Sequence, residues 1–210
     1  YYFIDNEYYF AGNKPYGNWY WDLEKFCFFC YAALSALPLL NFHPDVIHCH
    51  DWQTGLVPVL LKDRFAGGEF FRSIRSVFTI HNLRFQGTWD KKTIQRFTEL
   101  SDYYFTPDKL EFKKDANLLK GGLVYADAIT TVSRTYAKEI QTAFYGEGLE
   151  GLLQARDHDL RGIVNGIDYN AWNPKRDPYL AYPYDKVSVH KEKGKNKRDL
   201  QESLGLAVDD

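Results

Sequence analysis

The stretch Asp45-Val46-Ile47-His48-Cys49-His50-Asp51 decides the fold class of this chain. It is a short run with β-branched Val46 and Ile47 that ends in an acidic residue, and a helical pattern from Trp52 to Lys62 follows it. Residues 76–80, 128–132 and 162–164 are further apolar runs that end at a polar residue. Short apolar strands that alternate with helical segments are typical of βαβ units. We therefore predict an α/β fold with a parallel sheet and flanking helices.

Polar residues stand at the point where each predicted strand ends. They are Asp51, His81 with Asn82, Ser133, and Asn165. Ligands of parallel sheets bind in the crevice beyond the carboxyl ends of the strands, so these residues are candidates for one site. Polar residues also cap the helices that follow strands, and that is our interpretation of Ser133. For Asp51, His81 and Asn165 we favour a role in binding a ligand.

Length, composition and charge exclude several classes of function. The chain has 210 residues, of which 45% are hydrophobic, enough for one well-buried domain or a large part of one. Its net charge of −2 is spread along the chain, and we interpret the basic run from Lys191 to Lys197 as a solvated helix face. Apolar stretches fall short of the ~18–20 residues of a membrane helix. We expect no nucleic-acid partner and no membrane. Because the chain begins at Tyr1 and contains no methionine, we interpret it as part of a longer protein.

The cysteines and histidines raise the question of redox or metal chemistry. Three cysteines are few for this length, which favours a reducing cytoplasm. Cys27 and Cys30 have the C-x-x-C spacing, but their apolar surroundings favour a buried helix over a redox or metal motif. On a strand, His48 and His50 face one side while Cys49 and Asp51 face the other, so these four residues cannot converge on one ion. We expect no metal.

Two further segments leave their interpretation open. The glycine-rich run from Tyr145 to Leu152 is either a loop with close backbone approach or a point where one helix stops and another starts, since no strand precedes it. Between Leu83 and Leu118 the pattern is irregular and aromatic-rich, and so long a segment between core strands is often functional. Carboxylate, imidazole and amide groups beside many aromatic rings suit a sugar ligand. The residues alone indicate this class of ligand and no particular reaction.

The combination of motifs resembles the bacterial glycogen synthase family over nearly the whole chain. The matching segments are His50-Asp51-Trp52-Gln53-Thr54-Gly55-Leu56, residues 77–83 with 85–87, 117–122 and 125–133, Tyr145-Gly146-Glu147-Gly148-Leu149-Glu150-Gly151-Leu152-Leu153, and residues 162–168. The resemblance implies a retaining transfer of glucose from ADP-glucose to the non-reducing end of an α-1,4-glucan such as glycogen, without a cofactor, in the cytoplasm. It also implies two Rossmann-like domains in the GT-B arrangement. Residues 1–190 would be the later part of the N-terminal, acceptor-side domain, and residues 191–210 a helix and linker toward the second domain.

The resemblance also assigns roles to individual residues. Asp51 would contact the sugar or its acceptor, His81 would approach the transferred glucose, and Asn82 and Asn165 would hold hydroxyl groups. We name these four as the catalytic candidates. The predicted substrate-binding residues are Tyr16, Trp52, Gln53, Gly121 and Gly122.

The chain departs from the family pattern in places, and two other functions stay open. Trp21 and Lys25 stand where relatives tend to have an acid and an arginine, which concerns local packing or a salt bridge more than the strand ends. The Lys-x-Gly-Gly-Leu loop and the second domain expected of the family are not in this sequence. The alternatives are a carbohydrate-binding module without chemistry, and a related transferase that uses UDP-glucose.

Overall fold

The computed structural model describes residues 1–12 and 14–208, which form two compact units that divide between Val164 and Asn165. The helices of the first unit are α1 Glu7–Phe10, α2 Trp19–Leu39, α3 Leu56–Lys62, α4 Lys91–Thr98, α5 Leu118–Tyr125, α6 Arg134–Glu139 and α7 Glu150–Ala155. Its strands are β1 Val46–His50, β2 Arg75–Ile80, β3 Thr88–Trp89, β4 Glu111–Phe112, β5 Asp115–Asn117, β6 Ala128–Thr131 and β7 Leu160–Gly162. Each unit is described separately below.

The core of the first unit is a four-stranded sheet in the order β1-β2-β6-β7, and its neighbouring strands pair in parallel. β2 lies in the interior of the sheet and buries Phe78 and Ile80, whereas β1 lies at an edge and leaves Val46 half exposed. The predicted parallel α/β fold is confirmed. The last strand ends two residues earlier than predicted, although the amide of Ile163 still donates a hydrogen bond to the carbonyl of Thr131.

Helix α2 is the long helix that packs against this core, and it confirms the predicted buried setting of the C-x-x-C segment. Cys27 and Cys30 are each 1% exposed, and the thiol of Cys30 donates a hydrogen bond to the carbonyl of Gln53. Burial raises the pKa of both thiols, that of Cys30 well above its usual value. Cys49 in β1 is buried as well, and its pKa is raised to about 12. These thiols serve the core as small apolar side chains.

The helix predicted from Trp52 to Lys62 is interrupted. A single 3-10 turn, Trp52–Thr54, comes first, and α3 begins at Leu56. The Thr54 hydroxyl is engaged with the backbone of His50, donating to its carbonyl and accepting from its amide. Gly55 lies against α5 so closely that a Cβ there would meet the Leu118 carbonyl oxygen at 2.2 Å. The turn therefore brings the start of α3 against α5 at the end of β1.

The segment after β2 is more regular than the sequence pattern indicates. It forms α4 and a small antiparallel sheet in the order β3-β5-β4. Strands of two or three residues show no alternation of apolar and polar positions, so the pattern predicted an irregular segment. The side chain of Asn117 ends this small sheet by capping α5, where its Oδ1 accepts a hydrogen bond from the amide of Lys120.

The second unit contains helix α8, Val189–Ser203. The basic run from Lys191 to Lys197, interpreted above as a solvated helix face, lies on this helix, which buries none of its residues. Asn196 ties α8 to the preceding loop, because its side chain both accepts from the amide of Tyr182 and donates to the Tyr182 carbonyl. Across residues 1–12 and 14–208, the helices are too short or too polar to cross a membrane.

Candidate active site

Asp51 joins the carboxyl ends of the two neighbouring strands β1 and β2. Its Oδ1 accepts hydrogen bonds from the backbone amides of His81 (2.8 Å) and Asn82 (3.4 Å). Its own amide donates to the carbonyl of Thr79. Although Asp51 precedes a 3-10 turn, its side chain does not cap that turn. The carboxylate therefore fixes the loop that carries His81 and Asn82, which the strand-end pattern predicted to lie beside it.

The His81 imidazole is held by a second histidine at the same edge. His50 Nδ1 and His81 Nε2 are 3.0 Å apart, so one of these nitrogens donates a hydrogen bond to the other. The His50 ring also lies 4.2 Å from that of His48, centroid to centroid. Partial burial lowers the pKa of His50, and the neighbouring His48 and His81 lower it further against the opposing effect of Asp51. His50 is thereby favoured in its neutral form.

Asn82 shapes the turn that follows. Its Oδ1 accepts a hydrogen bond from the amide of Arg84, and its carbonyl accepts one from the amide of Phe85. The amide of Leu83 donates to the hydroxyl of Tyr136 on α6. His81 and Asn82 are both exposed at the edge of the sheet. The polar groups are therefore presented by a turn whose backbone is fixed from both sides.

Ser133 has the structural role predicted for it. Its Oγ accepts a hydrogen bond from the amide of Tyr136 and so caps α6. The glycine-rich run from Tyr145 to Leu152 is a tight loop that leads into a helix: Glu147 and Gly148 have positive φ angles, a Cβ at Gly146 would meet the Thr142 carbonyl oxygen at 2.8 Å, and α7 begins at Glu150. The amide side chain of Gln86 donates to the carbonyl of Glu147 and holds this run near the His81 turn.

A cavity of about 430 Å³ adjoins Asp51 and collects most of the predicted substrate-binding residues. Tyr16, Trp52 and Gln53 line it together with Asp51, and the Gln53 amide donates a hydrogen bond to the Tyr16 hydroxyl at 2.6 Å. His81 and Asn82 are not among its lining residues and connect to it through the Asp51 carboxylate. Its volume lies in the range of small-ligand pockets, roughly 300–1,000 Å³.

Three residues of this cavity were not predicted from the sequence, namely Trp19, Asp22 and Phe85. Asp22 and Lys25 form a buried ion pair at 3.0 Å, and Lys25 also donates to the carbonyl of Pro15. Asp22 in turn accepts from the amide of Gly17 and so fixes the loop that carries Tyr16. Lys25 thus makes a salt bridge where the family pattern has an arginine. Its spacing to Asp22, three residues along a helix, was the available signal.

Gly121 and Gly122, which were predicted to bind substrate, do not line this cavity. Both are buried within α5. A Cβ at Gly122 would meet the ring of Phe78 at 2.3 Å, and one at Gly121 would meet Leu110 and Val59 at 3.2 Å. These glycines allow α5 to approach the sheet and its neighbouring loops closely, and their role in substrate binding stays a prediction.

One of the predicted site residues, Asn165, lies in the second unit. Asn165 is the first residue of the second unit and is exposed there, so its role at the site stays a prediction.

The alternation predicted for β1 is present: His48 and His50 share one face, and Cys49 is buried on the other. Among residues 1–12 and 14–208, histidines, cysteines and acids do not gather in threes as a metal site requires.

The comparisons with known proteins agree with this geometry. Residues 1–155 match the family model of the starch synthase catalytic domain. The chain belongs to this starch synthase family. The glycogen synthase of Lachnoclostridium phytofermentans is 63% identical over 210 residues, covering 100% of the chain and 44% of that protein. The glycogen synthase of Lachnospira eligens is 61% identical over 209 residues, with the same shares.

A solved structure shows the same fold. The catalytic domain of starch synthase IV from Arabidopsis thaliana, bound to ADP and acarbose, is 35% identical with a TM-score of 0.79, covering 96% of this chain and 41% of that chain. This likeness supports the predicted Rossmann-like sheet as part of a GT-B glycosyltransferase of the starch synthase family. The chain spans less than half the length of the curated relatives it matches.

Proposed function

We propose that this chain supplies the acceptor-side half of the active site of a glycogen synthase. The enzyme would transfer glucose from ADP-glucose to the non-reducing end of an α-1,4-glucan. The observation that carries the proposal is the aromatic-walled cavity beside Asp51, at the carboxyl ends of β1 and β2. The match of residues 1–155 to the starch synthase catalytic domain supports the same activity.

The strand-end residues would act by positioning and electrostatics. His81 would meet the transferred glucose with its backbone carbonyl and its imidazole, which His50 holds in place. Asn82 and Asn165 would hold sugar hydroxyl groups, and Asp51 would fix the turn and contact the sugar or its acceptor. Oriented dipoles of this kind stabilise an oxocarbenium-like transition state. Departure of ADP from the face that the acceptor attacks retains the configuration at the anomeric carbon and needs no protein nucleophile.

The donor and the remainder of the site belong to the proposal as well. The solved starch synthase IV domain binds ADP and acarbose, which supports a nucleotide-sugar donor and a glucan acceptor here. We expect the diphosphate to be held by a second domain of the whole protein, so the 210-residue chain alone should be inactive. A UDP-glucose donor is the alternative that the same cavity would accept. We also propose a cytoplasmic location, since three buried cysteines without a disulfide suit a reducing compartment.

The test is glucose transfer to glycogen by the full-length protein, with ADP-glucose and UDP-glucose as donors. We expect transfer from ADP-glucose, and we expect His81→Ala and Asn165→Ala each to lower kcat by about 10²–10³-fold, as the loss of one oriented polar group does. Ser133→Ala is the matched control, because Ser133 caps α6 and is not assigned to the sugar.

The other outcomes of the transfer assay distinguish the alternative functions. Activity with UDP-glucose alone keeps the site and changes the donor. No transfer from either donor, together with glycogen binding that survives both substitutions, would favour a carbohydrate-binding module. Full activity of His81→Ala would remove His81 from the reaction.

A further inference from the structure

A second cavity continues the one that contains Asp51. It has a volume of about 310 Å³ and shares Trp19, Trp52 and Phe85 with the first cavity. Its far side is lined by polar residues, among them Arg84 and Glu147. Because three aromatic residues belong to both cavities, the two form one groove that leads from Asp51 toward Glu147. We call this the aromatic groove.

Trp19 is the most exposed large aromatic side chain of the aromatic groove, and its position is nevertheless fixed. Its side chain is 62% exposed, yet its ring stacks on Trp89 with a centroid distance of 4.3 Å and an interplanar angle of 28°. The ring centroid of Trp89 in turn lies 5.3 Å from that of Trp52. An aromatic ring that is held before a ligand arrives loses little conformational entropy on binding. The stack therefore presents Trp19 as a ready apolar surface.

Phe85 is placed by the same turn that carries the proposed catalytic residues. It is 60% exposed, and its amide donates a hydrogen bond to the carbonyl of Asn82. Since the Asp51 carboxylate accepts from the amides of His81 and Asn82, the position of Phe85 is tied to the end of the sheet. The groove and the reacting end of the site thus share one structural support.

The far end of the groove is polar and carries both signs of charge. The Gln86 side chain donates to the carbonyl of Glu147 and accepts from the amide group of Asn117, so the loop at Glu147 is fixed. Arg84 and Lys113 line this end together with Glu147. Mixed charges beside an aromatic wall suit a neutral, hydroxyl-rich ligand better than a phosphate. A glucose ring in a glucan has apolar C–H faces and a rim of hydroxyl groups, which match this arrangement.

We propose that Trp19 and Phe85, which line both cavities, form an acceptor subsite on which a glucose ring of the glucan stacks, beyond the ring that reacts at Asp51. This inference rests on the proposed function and adds to it the path of the acceptor, from Asp51 across the aromatic wall toward Glu147. Longer glucans would fill the whole aromatic groove, and short ones only its end at Asp51. The subsite therefore selects acceptors by length.

The experiment compares maltotriose with maltoheptaose as acceptors for the full-length enzyme. Trp19→Ala and Phe85→Ala are each expected to lower kcat/KM for maltoheptaose by about tenfold, the effect of losing one aromatic contact of roughly 1.4 kcal/mol. For maltotriose, and for the KM of ADP-glucose, the expected change is less than about twofold, within ordinary effects of a surface substitution. Phe42→Ala is the control, since Phe42 is exposed and lies outside both cavities.

Two variants separate binding from a loss of structure. Trp19→Ala also removes the stack on Trp89, whereas Phe85→Ala leaves that stack in place, so a shared effect points to the ligand. Equal losses for both acceptors, or no loss for maltoheptaose, would overturn the subsite while leaving the proposed function intact.

Maltoheptaose binding by the full-length protein, measured calorimetrically, distinguishes the two proposals further. If the wild type transfers no glucose but binds maltoheptaose, and Trp19→Ala weakens that binding about tenfold, the subsite stands and the catalytic proposal fails. Absence of both transfer and binding overturns both.

Discussion

Asp51 shows how one side chain can fix the turn that follows a neighbouring strand. Its φ angle of +53° and ψ angle of −173° define a backbone conformation that residues other than glycine rarely adopt. In this conformation Oδ1 meets the amides of His81 and Asn82, and these hydrogen bonds offset the backbone strain. Two strand ends that are adjacent in the sheet are thereby held at a fixed separation.

The pairing of His50 with His81 gives a prediction at the same scale. Like-charged His81 is one of the groups that lower the pKa of His50, after burial and His48. Replacing His81 by asparagine should therefore raise the pKa of His50 toward its usual value of about 6.5. The measurement is an NMR titration of the imidazole nitrogens, with His43→Asn as control because His43 lies at Phe70. An unchanged or lower His50 pKa would contradict the contact between the two rings.

The sequence predicted part of the site for a clear physical reason. Asp51 and His81 each follow a strand directly, and parallel strands bring their carboxyl ends to one edge of the sheet. Trp19 and Phe85 follow no such rule, since Trp19 begins a helix and Phe85 lies in a turn. Their meeting depends on the packing of Trp19, Trp89 and Trp52, which no spacing in the sequence reveals.

At the scale of the elements, strands were easier to predict than the pieces between them. β1, β2 and β6 agree with the predicted runs within about a residue, because their apolar side chains are buried in the sheet. The close approach of Gly55 to Leu118 at the break before α3, and the pairing of β3 with β5, are contacts with residues far along the chain. Local pattern does not contain that information.

Helix α5 provides a test of glycine used for packing. Gly122→Ala should lower the free energy of unfolding by about 1–3 kcal/mol, because its Cβ would overlap the Phe78 ring, and this outweighs the better helix propensity of alanine. Gly151→Ala in α7 is the matched control, since nothing lies within 4 Å of its Cβ, and it should raise stability by up to about 1 kcal/mol. Urea unfolding of both variants gives the two values. Equal effects would show that propensity alone decides.

At the scale of the whole molecule, the described sheet has an open edge. β1 pairs with β2 on one side, and Val46 is 50% exposed. An apolar edge strand can pair with another copy of the chain. We expect the 210-residue chain to self-associate with rising concentration in sedimentation velocity, and we expect Val46→Lys to reduce that association because charged side chains on an edge oppose pairing.

The control for this prediction is Val164→Lys, which adds the same charge at an exposed valine outside the strands. It should leave the association unchanged. A sharply monomeric profile of the unsubstituted chain at all concentrations would show that the edge is protected in solution.

The buried cysteines have a practical consequence for watching this protein unfold. Thiolate, the reactive form, is suppressed at all three positions by raised pKa values, and each side chain is 1% exposed. A thiol reagent can therefore react with these cysteines only after the core opens. Because two cysteines lie on α2 and the third on β1, the rates of thiol labelling measure how fast α2 separates from the sheet. The three cysteines therefore report on the opening of the core without any introduced probe.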